Sequence, residues 1–318
     1  MINYAGIFPS LKDRVRNGVY DLVGTGAPLS GVFGVGTGSR LAGRGSTYTN
    51  LTTGVKYWNE GSATVPYWTP ESFLQSQLLS WFSDFRDGVG KAVADTAATA
   101  TIAGSGIRVF GDGIAETDSG LVIAIAEDGP IGTLTVTDEV SHIAALGVGI
   151  TTSVPFQPDS HGPLVVDALV AMSSALTLRR FFMGFVGTAA DALISPVTGS
   201  TTTITLVQDD LAGLMFDVGL TNADGLFAPS NKSDAAATQT AASCDTSTDF
   251  PAAGTYARFR VQISAAGRMT CFMNKAQIFD LAAALDVDEE VAPVLLIGST
   301  STAVKLMLVK NFAAWGQR

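Results

Sequence analysis

Histidine is scarce in this chain. His142 and His161 are the only two among 318 residues, so imidazole chemistry has to come from one of them. His142 closes the run Thr137-Asp138-Glu139-Val140-Ser141-His142, in which Asp138, Glu139 and His142 could approach a metal ion. Two histidines without cysteine or convergent carboxylates do not supply the ligand set of a zinc or iron centre, and the run reads as a solvated loop or a single turn. Asp286, Asp288, Glu289 and Glu290 suggest calcium, but the sixth place of that loop is not glycine and its twelfth is Ile297, not Glu, which excludes an EF-hand. Asp209 with Asp217, or Glu116 with Glu127, could form the acid pair of a glycoside hydrolase only if folding brought them across one cleft. No phosphate-binding loop, nucleophile elbow or His-Glu-x-x-His helix occurs. The glycines of Gly34–Gly38 lack the third glycine and the following helix that phosphate cradling needs. Cys244 and Cys271 are too few for a disulfide framework, and Cys271 reads as a small core residue. The expectation is a non-enzyme with no cofactor and no metal.

Composition points the same way. A net charge of -10 with no Lys/Arg cluster excludes a phosphate-backbone partner. No apolar run reaches the roughly 18 residues of a membrane-spanning helix, and the first residues lack the apolar stretch of a signal peptide, so a soluble protein is expected. Charged residues make up 15 %, against roughly 25 % in ordinary domains. The surface is therefore dressed in Ser, Thr, Asn and Gly, or covered by other subunits.

Such surfaces and loops must be carried by strands. Ala257, Phe259, Val261 and Ile263 are apolar on every second residue, with Arg258, Arg260 and Gln262 between them. This is the period of a strand with one face on a core and the other in water. Gly267 lies in the turn, and Met269–Met273 resumes as a second strand. Nine further runs of this kind are bounded by Gly, Pro, Asp or Asn: 107–110, 121–126, 132–137, 164–172, 180–187, 202–207, 213–220, 291–298 and 303–313 join 256–264 and 269–274 to make eleven predicted strands. With no alternating helices they specify an antiparallel sandwich over 105–318. Residues 225–251 read as a long surface loop, and 280–285 as one helical turn.

The first third reads differently. Residues 1–68 are rich in glycine and predict an extended N-terminal arm with a small β-hairpin, ordered only against a partner or the main domain. Thr69-Pro70-Glu71-Ser72 has the chemistry of a helix start, with Trp68 and Phe73 at the staple positions. Leu74, Leu78, Trp81 and Phe85 form an apolar stripe up to Gly88. Residues 69–104 are thus expected to be a helix and a linker.

Two resemblances bear on function. Thr53-Gly54-Val55-Lys56-Tyr57-Trp58-Asn59-Glu60-Gly61-Ser62-Ala63, followed by Tyr67-Trp68 and Pro70, resembles a short module of tailed-bacteriophage virion proteins. The order of strands through Tyr256–Phe279, with Phe181–Gly187 and Ala303–Trp315, resembles the laminin-G-like or concanavalin-A-like jelly roll. The glucanases of that architecture carry their acids close together on one strand, a pattern missing here. The resemblance implies a mainly β virion protein, most similar to capsid decoration (cement) proteins on the outer capsid surface. Its partners would be the major capsid protein and itself, as a homotrimer. Interface anchors would be Tyr57, Trp58, Tyr67, Trp68, Phe73, Leu78, Trp81 and Phe85, since aromatic anchors dominate interface energetics. The alternative is a tail-fibre or adsorption protein whose jelly roll binds a host glycan, for which Phe227 and Phe250 are the aromatics of the predicted long loop.

Overall fold

The computed structural model describes residues 18–31, 42–72, 78–86, 92–93, 99–101, 105–111, 120–126, 129–136, 143–148, 155–173, 176–177, 179–187, 195–208, 210–232, 236–300 and 304–318. Among these, two nine-stranded sheets lie face to face, accompanied by one four-stranded and one three-stranded sheet. Leu164–Met172, Ala257–Ile263 and Lys305–Gln317 form the middle of the first large sheet. Arg179–Val186, Leu211–Asp217 and Ala292–Ser299 form the middle of the second. All pairings within the two large sheets are antiparallel. The expected mainly β sandwich is the fold, and all eleven predicted strands have counterparts in it.

Alternation places the core. Phe259 points from the first sheet into the sandwich and stacks on Phe250, with ring centroids 5.3 Å apart. Phe250 meets Phe181 edge-on at 5.2 Å and Phe216 at 5.3 Å, and these two belong to the second sheet. One aromatic cluster therefore joins the two layers, in the centroid range where edge and offset contacts are favourable.

Four expectations need correction. Residues 69–88 do not form the predicted helix: Trp68–Pro70 and Leu78–Ser83 are strands, and 73–77 and 87–88 lie outside the described residues. Phe312–Gln317 continues the C-terminal strand beyond its pairing with Gly129–Val136 and offers a free edge, which Leu78–Ser83 fills. Ladder hydrogen bonds to that edge outweigh a helical side-chain pattern. The predicted linker contributes Ala92–Val93 and Thr99–Thr101 to the edges of the two sheets. The predicted loop 225–251 contains four strands and one 3-10 turn, with Phe227 and Phe250 both buried.

The fourth correction concerns the arm. Its described part, 18–31 and 42–68, is not extended: Asp21–Gly24, Thr47–Asn50, Lys56–Asn59 and Trp68–Pro70 make the four-stranded sheet. Tyr48, Tyr57, Trp68 and Leu78 are buried together in a core of their own. The short helix of the described residues is Pro158–His161.

Candidate functional site

The small sheet is fastened to the body by charge. Asp167 sits in the otherwise apolar strand Leu164–Met172, opposite Arg260, and points away from the sandwich core. Arg258 Nε donates to its Oδ1 and Arg260 Nε to its Oδ2, both at 2.8 Å, and the Tyr67 hydroxyl donates to Oδ2 at 2.8 Å. Arg260 also donates to the Trp68 carbonyl (2.7 Å) and the Thr69 hydroxyl (3.0 Å), and its guanidinium lies 3.6 Å over the Tyr67 ring. Burial would push the Asp167 carboxyl up, but the two guanidiniums and their hydrogen bonds outweigh it and hold the carboxyl below its ordinary range. Burial pushes the Tyr67 phenol far up, so it stays a neutral donor. Arg258, Arg260 and Gln262 were expected to face water; they face the small sheet instead, because that sheet covers this side of the body.

Beside this junction lies an open cleft of about 460 Å³, lined among others by Arg44, Glu60, Ser62, Val65, Asn274 and Lys275. Two tight pieces of backbone shape it. Asn59 Oδ1 accepts from the amides of Gly61 (2.9 Å) and Tyr67 (2.8 Å), folding 59–67 into one wall. Gly61 is required there, because a Cβ would stand 2.7 Å from the Tyr67 nitrogen. Asn274 and Lys275 form the other wall as a two-residue hairpin turn, both at positive φ (50° and 72°), between paired Met273 and Ala276. Asparagine tolerates that conformation better than most residues, and its Oδ1 accepts from the Arg258 amide at 3.0 Å.

Glu60 is the hub of the cleft. Arg258 and Lys275 each approach its Oε2 at 3.5 Å, the Thr69 hydroxyl donates to the same oxygen at 3.3 Å, and Arg44 Nε donates to its backbone carbonyl at 3.1 Å. Trp58 is two residues before it, in the strand Lys56–Asn59 that ends one residue short of Glu60. It stands opposite both Thr47 and Thr69 and is 40 % exposed. Lys56 Nζ is 5.7 Å from the centre of its ring. One indole thus flanks a rim of hydroxyl, carboxylate, amide and cationic groups. Such a combination holds a ligand with apolar faces and polar edges.

The structure separates the other anchors predicted from sequence. Tyr57, Tyr67, Trp68, Leu78 and Phe85 are buried in their own chain, and Trp81 is half-buried, edge-on to Phe156 at 5.5 Å. They fasten the small sheet and the edge strand to the body, and in place of the expected subunit contacts the five buried ones pack within their own chain. Phe73 lies outside the described residues. Trp58 alone of the seven described anchors is exposed. Among the described residues no three of His, Cys, Asp and Glu gather as a metal site. His161 Nδ1 accepts from the Gln157 amide at 3.0 Å in the short helix. Asp217 is buried, paired with Arg180 at 2.8 Å, and accepts from the amides of Gly199 and Gly219. Asp209, Glu116, Glu127, Asp138, Glu139 and His142 lie outside the described residues. Sequence reasoning missed Arg44, Glu60, Asn274 and Lys275, which are brought together from three separate places in the chain. A lone acid in the apolar run Leu164–Met172 beside an Arg-x-Arg strand was the available signal for the junction next to them.

No family model matches the chain, and no curated protein matches it either. Solved structures do match. A protein of unknown function from Shewanella oneidensis MR-1 superposes with a TM-score of 0.50 at 11 % identity, over 76 % of this chain and 87 % of that one. Peanut lectin gives 0.42 at 11 % identity, over 76 % and 97 %. A glycoside hydrolase family 16 enzyme from Bacteroides ovatus gives 0.43 at 7 %, over 74 % and 99 %. The fold is a mainly β sandwich of two large antiparallel sheets. At these identities the likeness concerns the fold, and function has to be argued from the site.

Proposed function

We propose that the chain is a non-catalytic binding module that takes a glycan in the cleft between the small sheet and the 274–275 turn. The observation that carries this reading is Trp58: an exposed indole beside a cleft whose rim offers hydrogen-bond partners of every kind. A sugar presents C–H groups on its ring faces and hydroxyls around its edge, and that is the complement of an exposed indole two residues from Glu60, beside a rim that also carries Ser62, Asn274 and Arg44. Hydrolysis needs a second acid facing Glu60. The carboxylate across Arg258 is Asp167, which is buried with both oxygens engaged, and this supports binding without catalysis. In a virion protein, as the 53–70 module suggests, such a site serves adsorption to a host surface. Clamping of capsomers called for an unfolded leader, whereas residues 18–31 and 42–68 have a core of their own.

The test is a glycan array probed with the whole chain, followed by titration of Trp58→Ala. Loss of a central aromatic anchor costs about 2 kcal/mol, roughly thirty-fold in Kd. An array without any bound glycan, or equal affinity of the variant, would end the proposal.

A further inference from the structure

The charge around the cleft is opposite in sign to that of the molecule. Arg44, Arg258, Arg260 and Lys275 gather there against two carboxylates, Glu60 and Asp167, an excess of two positive charges in a chain whose net charge is -10. Asp167 lies beneath the cleft, spent on Arg258 and Arg260. That leaves Glu60 as the acid that the rim cations share. Its ion pairs to Arg258 and Lys275 are at 3.5 Å, loose for a charge-assisted bond. Lys275 has 32 % of its side chain exposed, and Arg44 is exposed, with one Nε bond to a neutral carbonyl. Lys56 adds a fifth cation on the strand face of Trp58. Asp21, two strands from Trp58, receives a hydrogen bond from the Thr47 hydroxyl and is the nearest acid on the far side of the indole in the strand register.

We infer that the ligand is an acidic glycan whose carboxylate-bearing sugar lies with its ring at Trp58 and its carboxylate toward Arg44 and Lys275. This rests on the glycan reading of the cleft and adds the charge of the ligand to it. A carboxylate there gives Arg44 and Lys275 the negative partner that Glu60 supplies to them only loosely or through its backbone. A neutral sugar would leave those cations as they are. The Arg44 guanidinium has four further N–H donors beyond Nε and can take both oxygens of a carboxylate. The side-chain NH2 of Asn274, whose Oδ1 is taken by the Arg258 amide, serves the sugar's own hydroxyls. The surrounding negative field of the protein does not oppose capture, because a focused local excess acts over about the Debye length, about 8 Å at physiological salt.

The experiment uses two acidic probes, oligogalacturonate and a sialylated lactose, each beside its uncharged counterpart, the methyl-esterified oligomer and lactose. Binding to the full chain is measured by calorimetry at low and at physiological salt. At least one acid should bind ten-fold or more tighter than its neutral counterpart, with the preference shrinking as salt is added. Lys275→Gln and Arg44→Gln should each reduce the preference for the acid over its neutral counterpart at least three-fold. Equal binding of acid and neutral forms would overturn the inference and leave the glycan site standing. So would a preference that neither substitution alters. No binding of any of the four would remove both.

Discussion

Replacing Asp167 by alanine tests the junction that gives the candidate site its shape. The carboxylate accepts from Arg258, Arg260 and Tyr67 at 2.8 Å each, and the Arg260 side chain is completely buried. Arg258 keeps 28 % of its side chain in solvent and retains Glu60 at 3.5 Å, so the cost falls on Arg260. Removing one member of a buried pair costs about 3–5 kcal/mol, because the remaining charge is neither hydrated nor compensated. At an m-value of about 3 kcal/mol/M, the urea midpoint should fall by roughly 1–2 M. Amides of 56–60 and 67–69 should exchange faster than those of Ala292–Ser299, since it is the small sheet that loses its fastening. The double variant Asp167→Leu, Arg260→Met should recover most of the loss by replacing charge with apolar volume. A cost below about 1 kcal/mol for Asp167→Ala, or a double variant no better than the single one, would refute the account of a buried charge held by its partner. The dependence on acid follows from the same geometry. The carboxyl is held below its ordinary value in the folded state, so its contribution is complete above the unfolded value of about 3.9 and fades as pH falls through the lower, folded one. Stability from this junction should be flat at neutral pH.

Two other outcomes follow from packing and burial. Gly184 and Gly213 stand opposite each other in the second sheet, and a Cβ on Gly184 would come within 2.5 Å of the Gly213 Cα; Gly184→Ala should cost about 1–3 kcal/mol by overpacking, read from urea denaturation, and a neutral result would mean the strands can part. Burial pushes the Cys244 thiol up to about 11 and the Cys271 thiol higher still, so neither should react with a disulfide reagent at pH 8 in the native state, and both should react in denaturant; fast native labelling would contradict the buried positions.

The sequence alone determined the sandwich. Alternation such as Ala257, Phe259, Val261, Ile263 is a local property of a strand beside a core, and turn residues bound each run, so strand number and class could be read without knowing any partner. The apolar stripe of Leu74, Leu78, Trp81 and Phe85 misled for the complementary reason. A side-chain period states which faces are apolar, but the backbone of Leu78–Ser83 took the ladder offered by Phe312–Gln317, an edge 230 residues further along the chain. Glycines in the leader were read as a failure to fold, although the aromatics between them, Tyr48, Tyr57 and Trp68, are enough for a small core once three strands align them. The candidate site was the least legible part. Arg44, Glu60, Asn274 and Lys275 have no common spacing, and only the docking of the small sheet through Asp167 and Arg260 puts them on one rim. Burial of a charge depends on what covers it, and what covers Arg260 is set by the tertiary fold.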